Sequence, residues 1–134
     1  MVEGAVSLAA ALEGIEDKKE RLTELVERTL NSEPVKLAIA ADSYQKEYPF
    51  IVDIGGEIFN GYIDLLIKDK DDYIIVDYKS DDIKAQDVAG VVSKRYLRQI
   101  EIYTSAVEKI TGKKPKAVWF YFVSPDINHK ISSF

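Results

Sequence analysis

The stretch GYIDLLIKDKDDYIIVDYKS, residues 61–80, decides the reading of the fold. Two apolar, β-branched runs flank the polar turn Lys68-Asp69-Lys70-Asp71-Asp72, and each run embeds one carboxylate, Asp64 or Asp77. A charge in such a strand is expensive unless it is paired, hydrogen-bonded or bound to metal. A turn centred on Lys70–Asp71, of two residues or of four, places Asp64 directly across the hairpin from Asp77, with Cβ atoms about 5 Å apart. Like charges opposed in this way destabilise a sheet, so something positive has to sit between them. Lys79 supplies part of it: two residues beyond Asp77, it shares a face with it by strand alternation. Two carboxylates and an ammonium at a strand end form a hard, oxygen-rich site suited to Mg²⁺ or Mn²⁺. The lysine is left to orient a water, assist its deprotonation or stabilise charge on a phosphate, and the assembly suits hydrolysis of a phosphodiester. A turn of three or five residues would break the facing geometry. A cross-strand Asp–Lys ion pair at a sheet edge, with Asp64 capping a turn, would use the same residues without chemistry.

Working outward, the second strand runs from Glu57 to Ile67 and the third from Tyr73 to Lys79. Tyr48–Ile54 precedes them, joined through the hairpin signal Gly55-Gly56. Further upstream, Leu22, Leu25, Val26, Thr29 and Leu30 recur at helical spacing within Glu16–Leu30. Ser32 is placed to cap a second helix through about Ala41, with Pro34 in its first turn. Residues before Glu16 could also be helical, between Gly4 and Gly14. Downstream, a long helix is expected over Ala85–Ile110, stopped at Gly112 with Pro115 beyond it. Lys116–Val123 then reads as a strand buried on both faces, and Lys130–Ser132 as part of a short last strand. The expected architecture is α/β, a mixed central sheet flanked by helices. It forms a single domain over residues 1–134, with an N-terminal helical region (1–43) and an αβ core (44–134).

The 134 residues, 46% hydrophobic and 31% charged, describe a globular chain rather than a disordered one. With no cysteine, disulfides and thiolate metal sites are excluded, which fits a cytoplasmic home. The longest apolar runs, Ala5–Leu12 and Val118–Val123, are too short to span a bilayer, and no signal peptide is recognisable. A net charge of −5 argues mildly against a free-standing nucleic-acid binder. Lys84, Lys94, Arg95 and Arg98 nevertheless concentrate near the start of the long helix, where they could contact backbone phosphate. On that helix Tyr96, Gln99 and Tyr103 share a face. They could serve the strand end or a nucleotide, or belong to a core stripe with Ile100, Val107 and Ile110. The single histidine, His129, reads as an exposed tail residue.

Taken in order, the runs GYIDLL, IIVDYKS and YLRQIEIY resemble the RecB/AddA-type nuclease domain of the PD-(D/E)XK superfamily over about Tyr48–Pro125. The resemblance implies a restriction-endonuclease-like core in which Asp64, Asp77 and the backbone carbonyl of Tyr78 bind Mg²⁺ or Mn²⁺. It makes Lys79 the catalytic lysine and assigns Gln99 and Tyr103 to the family's helical motif. Glu47, in Glu-Tyr-Pro-Phe, matches the acidic residue that often opens the first core strand. The implied activity is that of a Mg²⁺-dependent deoxyribonuclease. Its expected setting is an exonuclease module acting on DNA beside a helicase domain or subunit, in double-strand break repair and recombination. The family generally also carries a metal-ligating histidine on a helix upstream of the first core strand, and no histidine precedes His129 here. The expectation is therefore a chain that begins after that position and lacks one ligand, either as a fragment or as a small relative. A nuclease fold kept for a structural or DNA-binding role, without catalysis, is the alternative.

Overall fold

The structure, a computed structural model, describes residues 19–132. The expected helix before Glu16, and residues 16–18 of the first expected helix, lie outside the described residues. Two helices come first, α1 (Lys19–Leu30) and α2 (Glu33–Ala40), with Pro34 in the first turn of α2. Ser32 does not cap α2 through its side chain. Its buried hydroxyl turns back and donates to the Thr29 carbonyl at 2.7 Å, satisfying the end of α1 instead.

Strands β1 (Ser43–Ile54), β2 (Glu57–Asp69) and β3 (Asp72–Lys79) follow as an antiparallel meander. At the first turn Gly55 and Gly56 both have positive φ, +61° and +89°, as a tight two-residue hairpin requires. The Asp53 carboxylate accepts from the Gly56 N–H at 2.9 Å. A Cβ at Gly56 would meet no atom, so Gly56→Ala tests backbone strain alone. It is expected to lower stability by about 1 kcal/mol, read as a lower urea midpoint with an unchanged slope. At the second turn Lys70 is left-handed, with φ 58°, and its N–H is held by the Asp42 carboxylate at 2.7 Å.

After β3 a 3₁₀ turn (Ala85–Asp87) leads into α3 (Val88–Val91), a π turn (Val92–Tyr96) and α4 (Leu97–Thr111), so the expected long helix is continuous over 88–111 but interrupted. Gly112 closes it in the left-handed conformation, φ 82°. This crossover returns the chain to β4 (Ala117–Phe122), which is parallel to β3 and wholly buried, and β5 (Ile127–Ile131) completes the edge. The mixed sheet has the order β1-β2-β3-β4-β5.

The two faces are covered by different helices. On one, Ile100, Tyr103, Ala106 and Val107 of α4 pack on Phe50, Ile75, Phe120 and Phe122. On the other, Ala38 of α2 meets Leu65, Val76 and Trp119, and Leu25 of α1 meets Tyr121 and Val123. Ile110, expected in the stripe of α4, is exposed. Side-chain alternation slips by one residue at Asp64. Ile63 and Leu66 both enter the α4-side cluster, whereas Leu65 and Ile67 turn to the opposite one. Opposite this slip stands Glu47, left-handed at φ 49°, where the β1–β2 pairing skips. Among the described residues no helix is long and apolar enough to cross a membrane.

Candidate active site

The two-residue turn at Lys70–Asp71 produces the even register: Asp69 pairs with Asp72 and Leu65 with Val76, which carries Asp64 opposite Asp77. The backbone ladder stops one pair short of them. In its place the Asp64 side chain accepts from the Tyr78 N–H at 2.8 Å, pinning that carboxylate between the diverging strands. Within an extended strand the N–H and C=O of one residue point to the same side, so the Tyr78 carbonyl is directed toward the Asp64 edge as well.

Asp77 is buried, with 4% of its surface exposed. Burial pushes its pKa up to about 7; Lys79 works against that rise and the nearby Asp64 charge adds to it. Lys79 Nζ lies 2.5 Å from Asp77 Oδ2. The approach is too oblique for a hydrogen bond, and this buried oxygen has no directional partner. The ion pair compensates its charge while leaving its lone pairs unfilled. A buried acceptor in that condition is a place for a cation or a donor.

Lys79 is held from several sides. Its Nζ donates to Gln99 Oε1 at 2.6 Å and sits 4.0 Å from the centre of the Tyr96 ring and 5.4 Å from that of Phe120. Gln99 Nε2 donates in turn to the Tyr103 hydroxyl at 2.8 Å, and that hydroxyl donates to the Tyr62 carbonyl at 3.2 Å. A donor chain thus runs from the ammonium through α4 into β2. It orients the Gln99 amide, since only its carbonyl oxygen can accept from Lys79. Burial pushes the Tyr103 phenol above its ordinary range, so it stays protonated and able to donate.

A family-wide sequence profile for the PD-(D/E)XK nuclease superfamily matches residues 4–131. The chain belongs to the PD-(D/E)XK nuclease superfamily. The resemblance to RecB/AddA-type domains carried by the sequence motifs also extends to named relatives, all of them large subunits of ATP-dependent helicase/nucleases. The one from Carboxydothermus hydrogenoformans is 36% identical over 91 residues, covering 58% of this chain and 8% of the relative. Its counterpart in Thermoanaerobacter sp. is 33% identical over 105 residues, or 74% of this chain and 8% of the relative. That of Bacillus velezensis is 35% identical over 97 residues, 66% of this chain and again 8% of the relative. The chain thus spans about 8% of the length of these curated relatives.

Asp64, Asp77, Lys79, Gln99 and Tyr103 therefore come together at one end of this PD-(D/E)XK sheet. Two side-chain carboxylates with a carbonyl beside them fit Mg²⁺ or Mn²⁺, which commonly take one or two carboxylates and complete their shell with water and phosphate oxygens. Among the described residues no three His, Cys, Asp or Glu side chains form a metal cluster. Glu47 faces Asp64 across β1 and β2, yet it is exposed and its carboxylate does not join the pair.

His129 is not a tail residue. It lies in β5, half-buried, opposite Phe120, which itself pairs with Asp77. Burial pushes its imidazole pKa down. Two strand spacings separate it from Asp77, about 10 Å, too far for both to ligate one ion. The expected basic cluster is partly neutralised. Arg95 is ion-paired with Asp81 at 2.8 Å, and Arg98 with Glu101 at 2.9 Å. Lys84 and Lys94 line a cavity of about 630 Å³ that Asp82 and Asp87 also line. Asp81 carries no signal in the sequence, and Tyr96 registers there only as part of a helical face. Asp81 accepts from the Tyr96 hydroxyl at 2.7 Å, a contact that spans 15 residues and has no spacing signature.

Proposed function

We propose that this chain is the metal-dependent DNA nuclease module of a RecB/AddA-like helicase–nuclease, an exonuclease acting in double-strand break repair and recombination in the cytoplasm. The observation that carries the reading is the convergence of Asp64 and Asp77 on a buried, directionally unpartnered carboxylate oxygen beside a fully braced lysine.

In this reading Asp64, Asp77 and the Tyr78 carbonyl hold Mg²⁺ or Mn²⁺. When bound, such an ion lowers the pKa of a coordinated water and neutralises charge on the phosphate. The protein's own groups do the rest. The Tyr78 N–H fixes the Asp64 carboxylate so that it presents its oxygen without reorganisation. Lys79 places a positive charge and N–H donors beside the scissile phosphate, stabilising the charge that builds there. Gln99, anchored by Tyr103, keeps the ammonium aimed. Lys84 and Lys94, with Arg95 and Arg98 where their ion pairs yield, serve as phosphate contacts. The weak positive field of this chain suits a module to which a helicase domain or subunit delivers the DNA strand.

The test is incubation of the purified chain with end-labelled single- and double-stranded DNA, with Mg²⁺, with Mn²⁺ and with excess chelator. Cleavage in either metal that Asp64→Ala removes is the expected result. Cleavage that persists in chelator would refute it. A second reading, a nuclease fold retained for a structural or DNA-binding role, is favoured by the two-carboxylate donor set. It predicts DNA binding with no cleavage in either metal.

A further inference from the structure

We infer that Asp81 and Tyr96 are positioning residues for Lys79, forming a tether that sets the direction of its ammonium through the face of the Tyr96 ring. This rests on the reading of Lys79 as the charge-bearing group of the site, and on contacts the family motif does not describe. The Asp81 side chain is 10% exposed and spends its two oxygens on different partners. Oδ1 accepts from the Tyr96 hydroxyl at 2.7 Å and Oδ2 from Arg95 at 2.8 Å.

Neighbouring residues of a regular helix project about 100° apart, so Arg95 and Tyr96 should not reach one carboxylate. They do so because the π turn over Val92–Tyr96 ends with Tyr96 off helical geometry, at φ −116° and ψ 1°. π turns are rare, and when they occur inside helices they frequently mark functional sites. The consequence here is a ring fixed at both ends. Its hydroxyl is tied to Asp81, and its body packs on Phe120 with centroids 5.5 Å apart.

Lys79 Nζ lies 4.0 Å from that ring's centre, the closest cation–aromatic approach among the described residues. Of the ammonium's three donors, one goes to Gln99 and another points toward Asp77; the ring face receives the remaining side. When Asp77 is engaged by a cation, its hold on Lys79 weakens. Gln99 and the tethered ring then remain to aim the ammonium.

The experiment uses the whole chain labelled with ¹³C-lysine, and the Lys79 ε-methylene signal is assigned by its loss in Lys79→Ala. Ring currents should shift those protons upfield of the other lysines. Asp81→Ala should move them toward the common lysine position, and Tyr96→Leu should remove the shift. Asp81→Asn, which keeps an acceptor for the Tyr96 hydroxyl, should restore most of it. With Mn²⁺ and an end-labelled oligonucleotide, Asp81→Ala should lower kcat by about 10- to 100-fold with KM unchanged, and Asp81→Asn should recover part of the loss. A Lys79 signal that does not move in Asp81→Ala overturns the tether, as does an unchanged kcat. Should the signal respond as expected while the wild-type chain cleaves no DNA in metal, the tether stands and the hydrolytic reading falls.

Discussion

Replacing Lys79 with alanine is expected to lower metal-dependent cleavage by about 10²–10³-fold, the loss typical of one preorganised charge-stabilising group. The side chain is braced by Gln99, by Asp77 and by the rings of Tyr96 and Phe120, so the protein has already ordered it before substrate arrives. Little reorganisation is then required as charge builds on the phosphate, and the loss should fall in kcat rather than in KM. Lys79→Arg should not restore the wild-type rate. A planar guanidinium cannot occupy the compact space between the Gln99 carbonyl and the Tyr96 ring with the same donor directions. The measurement is single-turnover cleavage of an end-labelled oligonucleotide in Mn²⁺. Wild-type rates in Lys79→Ala would remove this lysine from the chemistry.

The second large effect is on stability, and its sign is opposite to that of most core substitutions. Asp77 titrates near 3.8 when unfolded and is raised to about 7 in the folded chain, chiefly by burial. Below pH 4 the carboxyl is protonated in both states and burying it carries no charge penalty. As pH rises from 4 to 7 the unfolded chain loses its proton first, so stability falls through this window and the penalty is complete above pH 7. At about 1.4 kcal/mol per pH unit, the ceiling is about 4 kcal/mol. Asp77→Asn, which remains neutral, should therefore be more stable than the wild type at pH 8 in chelator by up to a few kcal/mol, and equal to it at pH 4. Adding Mn²⁺ should raise the wild-type melting temperature and leave that of Asp77→Asn unchanged. A melting temperature for Asp77→Asn at or below wild type in chelator at pH 8 would overturn the assignment. The carboxylate that costs the fold most is the one the proposed chemistry uses, a common trade between stability and activity.

Much of this is legible in residues 61–80. The polar turn between two β-branched runs sets the hairpin, and the hairpin sets the register that opposes Asp64 and Asp77. Strand alternation puts Lys79 beside Asp77, and an unbroken apolar run marks β4 as buried on both faces. The spacing of Gln99 and Tyr103 on one helix face is equally readable, because it depends only on the helical repeat. Two expectations fail for the same reason. Local sequence places Ser32 as the cap of α2, but its hydroxyl finds the closer Thr29 carbonyl. Polar neighbours make His129 look like a tail residue, but edge pairing with β4 draws it into the sheet. Neither local pattern carries the competing partner.

By itself the sequence determined the order of the elements, the facing carboxylates and the lysine between them, because each follows from a short repeat along the chain. Only the tertiary structure decided how that lysine is held. The slip of alternation at Asp64, the oblique approach of Lys79 to Asp77 and the closure of Asp81 on Tyr96 depend on strands and helices distant along the chain. The physical reason is that direction is set by packing. Phe120 from β4, the π turn before α4 and the Tyr62 carbonyl of β2 meet around one ammonium, and no periodicity in the sequence encodes where three separate elements converge.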